Sequence, residues 1–371
     1  MTTAPSIFAA ISMSVTSGWK RRCSRSRLLR NLWKGIRMHG FFYERRCRLL
    51  PSVLLPIGIL IFWQNAMAGS GSHFSTETAG FAVKFKDEVS SYRILGVFVL
   101  PRETLALEVQ EAPTHHQYVL KAAAGKATPF TANKWQWQAP QETGLYPVRI
   151  VRTPSADSVV LNIFVMIPYE RLRGEYLNGY RIGKYSSVPL QQLSVYKPPR
   201  GFVEVTQENQ EALIAPHFKL KQFLCKQNGD YPKYVVLSER LLMKLELILE
   251  QVNEKGYRCD TFHIMSGYRT PHYNKAIGNV KYSRHVYGSA ADIFIDVNPP
   301  DGMMDDLNGD GKSDHHDAAI LHDIIDAMYG KPWNSRFIGG LAKYAKTASH
   351  GPFVHVDVRG FRARWGGMKQ P

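Results

Sequence analysis

The chain has 371 residues, enough for two domains that each bury a core. Its composition, 44% hydrophobic and 21% charged, is that of a globular protein. Residues 1–68 carry a net +10 of the formal charge of +16, and the remainder carries only +6 without a basic stripe of interleaved aromatics. This pattern argues against a nucleic-acid partner.

The concentrated positive charge fits a secretory leader. A stretch with three arginines, Arg45–Arg48, precedes the apolar run Leu49–Trp63, and Ala66-Met67-Ala68 follows. A basic region, an apolar core and an A-x-A exit are the parts of a signal peptide, so residues 1–68 are predicted to be removed. The alternative is an uncleaved anchor, although this run is short against the ~20 residues of a spanning helix. We expect export to the periplasm or cell envelope, with membrane contact only through an uncleaved leader.

Two cysteines, Cys225 and Cys259, remain after the predicted cleavage. An even pair in an exported protein permits a disulfide. The alternative is two buried thiols. The sequence does not give their separation, so both interpretations stay open.

Residues 74–168 are predicted to form a small β-sandwich domain. Short runs with strand-like alternation are separated by turn clusters, and no helical period is visible. The predicted strands include Phe81–Phe85, Tyr92–Leu100, Tyr146–Val151 and Val159–Ile167. Trp135 and Trp137 share one face of a strand by spacing, which favours core packing over a sugar-binding platform.

Residues 169–200 are rich in Gly, Tyr, Pro and Ser and are predicted to be a linker. Residues 201–367 then alternate helix and strand patterns, which predicts an α+β domain. A helix should begin after the N-cap Ser238 and end at Gly256. Its apolar stripe comprises Leu241, Leu242, Leu245, Ile248, Leu249 and Val252. The other predicted elements are strands at Thr261–Met265, Asp292–Val297 and Phe353–Val358, and a helix at Ala318–Met328.

Three side chains in this domain suit a metal site: His285, Asp292 and His355. Two imidazoles and one carboxylate favour zinc, and a set of three protein ligands is typical of catalytic zinc. Small residues fill positions 288–291, so the chain can turn tightly between the first two ligands. Taken alone, this spacing is a weak signal.

These motifs resemble the D-alanyl-D-alanine carboxypeptidase and endopeptidase family, whose zinc domain is shared with hedgehog proteins. The resemblance covers about residues 200–367 and rests on three motifs in order. They are Ser283, His285, Gly288, Ala290 and Asp292, then the turn Ser266-Gly267-Tyr268-Arg269, then His355–Gly360 followed by Arg362 and Trp365. The resemblance implies the fold, zinc bound by the two histidines and Asp292, and peptidoglycan peptides as substrate.

The same resemblance assigns roles around the metal. Ser266, Tyr268 and Ser283 are predicted to bind substrate, although the first two could be turn residues only. Arg269 is predicted to meet the substrate or the developing oxyanion, since a fixed guanidinium suits both.

One position departs from the family pattern. Many members carry Glu or Asp three residues before the last ligand as general base, and Pro352 stands there. Asp357, two residues after His355, and His350, five before it, are the candidate replacements. Asp357 could instead orient a ligand imidazole.

A second ion is predicted between the zinc motifs. The segment 306–317 fits the twelve-residue calcium loop of EF-hand and dockerin-like modules, with Gly311 at the turn position. Pro299 and Pro300 argue against an entering helix, and an acidic, solvated turn is the alternative. The predicted ligands are Asp306, Asn308, Asp310, the carbonyl of Lys312, Asp314 and Asp317.

The sequence thus predicts an exported zinc metallopeptidase that cuts peptidoglycan stem peptides or cross-links, with Zn²⁺ and a structural Ca²⁺. Because the usual base is missing, a zinc-containing protein that binds cell-wall peptides without cutting them is the alternative. A third interpretation makes the β-sandwich the functional part and the zinc domain a docking module.

Overall fold

The computed structural model describes residues 74–110 and 115–366. The predicted leader, residues 1–68, lies outside them, so its cleavage stays a prediction. The described residues fall in one compact unit, bounded at Ala68–Pro371. None of the helices in these described ranges combines the length and apolar character that crossing a lipid bilayer demands.

Nine strands follow one another in the first part of the described chain. They are β1 Thr78–Phe85, β2 Glu88–Tyr92, β3 Ile94–Val99, β4 Thr104–Gln110, β5 Gln117–Ala122, β6 Lys126–Thr131, β7 Lys134–Gln138, β8 Gly144–Thr153 and β9 Ser158–Val165. They form two sheets, in the orders β2-β1-β4-β7-β6 and β3-β9-β8-β5. The sheets pack face to face, since the Phe81 ring of β1 lies 5.2 Å from the Tyr118 ring of β5.

The alternation of the sequence explains these strands. In β1, every second residue is buried, as expected for a strand with one face on a core. Trp135 and Trp137 of β7 are 8% and 0% exposed, and the Trp137 indole donates a hydrogen bond to the carbonyl of Ala124 at 2.9 Å. The tryptophans are therefore core residues. Whether residues 74–168 fold as a separate domain stays a prediction.

Residues 169–200 hold short pieces of regular structure. After β10 (Ile167–Pro168), the strands β11 (Tyr176–Leu177) and β12 (Tyr180–Arg181) form a small hairpin, and three single 3-10 turns complete the segment. Although it was predicted to be a linker, it buries Tyr185 and Tyr196 in the core. Both rings contact the part of the chain that carries His285.

The remaining elements mix helices with strands, which confirms the α+β class. The strands are β13 Gly201–Val205, β14 Leu213–Ala215, β15 Phe218–Lys219, β16 Lys233–Val235, β17 His263–Ser266, β18 Ala290–Phe294, β19 Gly340–Tyr344, β20 Phe353–Asp357 and β21 Ala363–Trp365, and the helices are α1 Glu239–Glu254, α2 Pro271–Ala276 and α3 His315–Asp326. A five-stranded sheet in the order β17-β18-β20-β19-β21 is the platform for the predicted metal ligands.

Helix α1 follows the predicted apolar stripe, and all six of its predicted core residues are buried. Gly256, with φ of +89°, comes directly after its C-cap. At its start, the side chain of Ser238 makes no capping hydrogen bond. The first turn instead contacts the β-sandwich, because Glu239 pairs with Lys86 at 2.5 Å and Arg240 pairs with Glu88 at 2.5 Å.

The two cysteines are free, buried thiols. The Cys259 thiol donates to the carbonyl of Thr261 at 3.0 Å, whereas the Cys225 thiol has the Gln227 amide oxygen 4.0 Å away. Of the two interpretations left open by the sequence, the structure shows the unbridged pair.

Candidate metal centre

The first predicted ligand, His285, lies on a short 3-10 turn, Arg284–Tyr287, and is 2% exposed. The turn ends at Gly288, whose φ of +62° is left-handed. A side chain at this position would also collide with the carbonyl oxygen of Val236. Only glycine allows the chain to turn here and pass directly into β18.

The other two predicted ligands lie on adjacent strands. Asp292 of β18 is directly opposite His355 of β20 in the antiparallel register. Opposed residues project from the same face of a sheet, and both side chains are buried. The sheet therefore presents two ligands side by side, and the turn before β18 brings the third to them.

The three ligand atoms converge tightly. The Nε2 atom of His285 lies 3.1 Å from Oδ1 of Asp292 and 3.1 Å from Nδ1 of His355, and the latter two atoms are 2.8 Å apart. Ligand atoms around tetrahedral zinc, with bonds of about 2.0–2.1 Å, are roughly 3.3 Å apart. The triangle is thus of the size that one ion of this kind occupies.

Hydrogen bonds on the outer side of each ring fix the histidine tautomers. Nδ1 of His285 lies 2.7 Å from the carbonyl oxygen of Gly267, and Nε2 of His355 lies 3.3 Å from Oδ2 of Asp357. Each outer nitrogen faces an acceptor and can carry the proton, and in that tautomer each inner nitrogen presents a lone pair. Two lone pairs and a carboxylate oxygen then meet with no hydrogen between them. A cation relieves that arrangement, and this donor set suits zinc.

The electrostatics of the three groups agree with metal ligation. Burial lowers the pKa of His285, which keeps it neutral. Burial acts to raise the pKa of Asp292, but the neighbouring histidines outweigh it and hold the pKa well below its usual range. Burial also acts to lower the pKa of His355, but hydrogen bonds to Asp292 and Asp357 raise it. His355 is therefore the ligand at which a proton competes most with the metal.

Arg269 contacts the metal ligand Asp292 directly. Its Nη2 lies 2.5 Å from Oδ2 of Asp292, and its Nε donates to the hydroxyl of Ser266 at 2.7 Å. The sequence predicted that Arg269 meets the substrate or an oxyanion. In the structure its guanidinium orients the ligand carboxylate, and a substrate contact by Arg269 or Ser266 stays a prediction.

Asp357 lies on the side of the His355 ring that faces away from the ligand triangle, because it contacts Nε2 while Nδ1 faces Asp292. Both of its oxygens contact Arg359, at 2.5 Å in the shortest pair, and Oδ1 also accepts the backbone N–H of Gly340 at 2.7 Å. It is 0% exposed, and its pKa is held well below the usual range, because His355 and Arg359 outweigh the opposing effect of burial. These contacts favour the alternative interpretation, in which the carboxylate orients a ligand imidazole, and the role of Asp357 as general base stays a prediction.

His350, the other candidate base, precedes β20. Its Nδ1 lies 2.8 Å from the carbonyl of Gly351, and its ring lies 5.0 Å, edge-on, from that of Phe353. Phe353 is two residues before His355 in the same strand and so shares its face. The structure thus places His350 next to the residue that flanks the ligand. Its role in proton transfer stays a prediction.

Tyr268, predicted to contact substrate, is buried in the structure. The residue is 1% exposed, and its hydroxyl lies 2.8 Å from that of Tyr185. Substrate binding by Tyr268 stays a prediction. Ser283 is 8% exposed and precedes the turn of His285. Substrate binding by Ser283 stays a prediction.

The predicted calcium loop is an exposed turn that leads into α3. The Asp306 carboxylate accepts the backbone N–H groups of Gly309 and Gly311, at 2.7 and 2.6 Å. Asp317 is 0% exposed and accepts from Leu307 and Asp314, both at 2.8 Å. The remaining predicted ligands, Asn308, Asp310 and Lys312, lie in the loop between them. Ion binding at this loop stays a prediction.

Two supporting residues were missed by the sequence analysis. Lys244 of α1 is 5% exposed, donates to the backbone carbonyl of Asp357 at 2.8 Å, and has a pKa lowered by burial to about 8. Its spacing from Leu241 and Ile248 places it on the apolar stripe, which was a usable signal. Tyr185 donates to the carbonyl of Val286 at 3.1 Å. It lies in an irregular segment, where no period could reveal it.

Comparison with known proteins supports the geometry. Residues 216–304 match the family model described as Peptidase M15, a segment that includes His285 and Asp292 and ends before His355. No curated protein matches the chain significantly. M15 peptidases depend on zinc, and the described residues bring together a histidine–aspartate–histidine group able to bind it. The match places the segment 216–304, and not the chain as a whole, in the M15 zinc peptidase family, which includes D-alanyl-D-alanine carboxypeptidases.

Proposed function

We propose that this protein is an exported zinc peptidase that hydrolyses peptidoglycan stem peptides or their cross-links. The observation that carries the proposal is the triangle of His285, Asp292 and His355, in which three atoms able to bind a metal converge. The family, which includes D-alanyl-D-alanine carboxypeptidases, supports this class of substrate. The predicted leader supports a periplasmic or cell-envelope location. Endopeptidase and carboxypeptidase cleavage would use the same groups, so the proposed function includes both activities.

Zinc, when bound by these three residues, would supply a nucleophile at neutral pH and polarise the scissile carbonyl. The rest of the site is built to hold the ligands in place. Gly267 and Asp357 orient the two imidazoles, and Arg269 orients the carboxylate. Such outer contacts raise metal affinity because they fix ring orientation and tautomer.

Proton transfer is the step for which the site offers fewest groups. Pro352 carries no titratable side chain, and Asp357 is enclosed behind His355. His350 is half-buried next to Phe353, on the strand that carries His355. We therefore assign the proton transfer to His350 in the proposed reaction.

Digestion of purified muropeptides by the zinc-loaded protein tests the proposal. The wild type should release products that His285→Ala does not, since the variant lacks one ligand. His115→Ala, at an exposed histidine of the β-sandwich, is the matched control and should keep wild-type activity. A folded, zinc-loaded wild type that yields no products would rule out the peptidase.

That same result, combined with measurable muropeptide binding, would support the second candidate, a zinc-containing cell-wall peptide-binding protein. The observation in its favour is that Pro352 stands where the family usually carries a carboxylate base, while the candidate replacement Asp357 is enclosed behind His355. Isothermal titration with uncleaved muropeptide measures this binding independently of turnover.

We also propose that the loop 306–317 binds calcium. Its support is the left-handed Gly311 at the turn position, with φ of +82°, and the start of α3 at His315. Calcium should raise the midpoint of thermal unfolding of the wild type, and Asp306→Ala should abolish the shift. Equal midpoints with calcium and with a chelator would rule the site out.

A further inference from the structure

A row of aromatic side chains borders His355 on the face of the sheet that carries the metal ligands. In the register of β19 with β20, Ala342 is opposite His355 and Tyr344 is opposite Phe353. In the register of β19 with β21, Ala342 is also aligned with Trp365. Since cross-strand partners share a face, Tyr344 and Trp365 both project on the side of His355. The ring of Trp365 lies 5.1 Å from that of His355.

The hydroxyl of Tyr344 is held in place from two directions. It accepts a hydrogen bond from the indole N–H of Trp365 at 2.7 Å. Its ring stacks on that of Phe353, with centroids 4.6 Å apart and planes within 13°. Among the described residues, no acceptor takes the proton of this hydroxyl. The phenol therefore has one donor available to a ligand on this face.

Tyr344 stays protonated at physiological pH. Burial raises the pKa of its phenol and outweighs the hydrogen bond from Trp365, which lowers it, while the negative charge of Asp292 raises the pKa further and Arg269 opposes it. A neutral phenol can donate a hydrogen bond but does not act as a base at neutral pH. The influence of Asp292 and Arg269 also agrees with a position of the hydroxyl near the ligand triangle.

Negative charge that develops on the scissile carbonyl oxygen requires a hydrogen-bond donor beside the metal. Arg269, which the sequence predicted for that role, is engaged with Asp292 and Ser266. We propose that Tyr344 is a further catalytic residue, whose hydroxyl donates a hydrogen bond to the scissile carbonyl oxygen as charge develops there. Trp365 is its positioning residue. This inference rests on the proposed peptidase function.

The test compares Tyr344→Phe with the wild type and with Tyr146→Phe. The control removes the hydroxyl of Tyr146, a β8 residue of the β-sandwich, which donates to the backbone carbonyl of Glu142. Three quantities are measured: zinc content, kcat and KM with muropeptide, and the affinity for a phosphinate dipeptide, a tetrahedral mimic of the hydrolysing amide. Loss of a donor to an oxyanion lowers kcat by about 10²-fold or more. Tyr344→Phe should show that loss, with a similar loss of phosphinate affinity, unchanged zinc content and little change in KM.

Trp365→Phe should lose part of the rate, and combined with Tyr344→Phe it should add nothing, because it acts through the same hydroxyl. Wild-type kcat or wild-type phosphinate affinity in Tyr344→Phe would overturn the inference, as would loss of its zinc. A wild type that binds phosphinate but cuts no muropeptide would overturn only the proposed function. In that event, the inference holds if Tyr344→Phe binds phosphinate more weakly than the wild type, and it fails if the two affinities are equal. A wild type that neither cuts nor binds would overturn both.

Discussion

The guanidinium of Arg269 lies 2.5 Å from Oδ2 of Asp292, whereas both histidines of the site face Oδ1 of the same carboxylate. The two oxygens thus have separate functions. One faces the metal position, and the other is fixed by a charge-assisted hydrogen bond. An arginine that is itself 8% exposed and bonded to Ser266 leaves the carboxylate little freedom to rotate.

This contact makes Arg269 a determinant of zinc affinity. Arg269→Gln should weaken zinc binding by roughly 10- to 100-fold, as is usual when an outer contact of a metal ligand is lost. Competition with a chelating indicator measures the affinity. Arg362→Gln, at an exposed arginine that pairs with Asp326 at 3.3 Å, is the control and should bind zinc normally. Unchanged zinc affinity with a lower kcat would instead support the oxyanion role predicted from the sequence.

The variant Asp357→Asn distinguishes two possible roles of Asp357, orienting the His355 imidazole and acting as the catalytic base. The amide keeps the shape but weakens the interaction with the Nε2–H of His355 and with Arg359. Zinc affinity should fall by about 10- to 100-fold, and excess zinc should restore most of the rate. Rates measured over a zinc titration give both quantities. A rate that stays near zero at full zinc occupancy would contradict the orienting role and return Asp357 to the list of bases.

The sequence was sufficient to predict the elements with a clear period. Helix α1 and the strands that carry Asp292 and His355 were each predicted within a few residues, and the three predicted ligands converge. Their signals are local: an apolar stripe, short alternating runs, and small residues that permit one tight turn. The small residues at 288–291 were informative because Gly288 adopts a conformation that other residues disfavour.

The roles of residues that depend on where a side chain points, and on what it contacts there, could not be predicted from such local patterns. Asp357 is two residues from His355 and shares its face, which is equally compatible with reaching the metal or supporting the imidazole from behind. The two roles differ in which ring nitrogen of His355 the Asp357 carboxylate contacts, and the sequence does not give that contact. Tyr268 belongs to a motif that suggests substrate contact, yet its partner Tyr185 comes from an irregular segment 83 residues away. Sequence periodicity carries no information about such long-range pairs.

The buried pair of Tyr185 and Tyr268 predicts unequal effects of two similar substitutions. Tyr185→Phe leaves the Tyr268 hydroxyl buried without its partner and removes the hydrogen bond to the carbonyl of Val286. An unsatisfied buried polar group costs about 1–3 kcal/mol. Tyr268→Phe should be milder, since the hydroxyl of Tyr185 can still donate to Val286. Urea unfolding of both variants and of the double variant measures the difference, and equal or inverted losses would contradict it.

The pair of His217 and Glu246 predicts a pH-dependent contribution to stability. Nδ1 of His217 lies 2.7 Å from a carboxylate oxygen of Glu246, which is 0% exposed, and the backbone N–H of His217 donates to the other oxygen at 2.9 Å. Burial acts to lower the pKa of His217, but the hydrogen bond and charge of Glu246 outweigh it and raise the pKa. A raised folded-state pKa stabilises the protein below the unfolded-state value of about 6.5, and this stabilisation is lost as the pH rises through the folded-state value.

His217→Gln should therefore reduce the free energy of unfolding more at about pH 5.5 than at about pH 9, where the imidazole is neutral in both states. Urea unfolding of the two proteins at each pH gives the difference. In a Glu246→Gln background the same substitution should lose most of its pH dependence, because the charge that raises the pKa is gone. An equal effect of His217→Gln at both pH values would show that the imidazole contributes only packing and a neutral hydrogen bond.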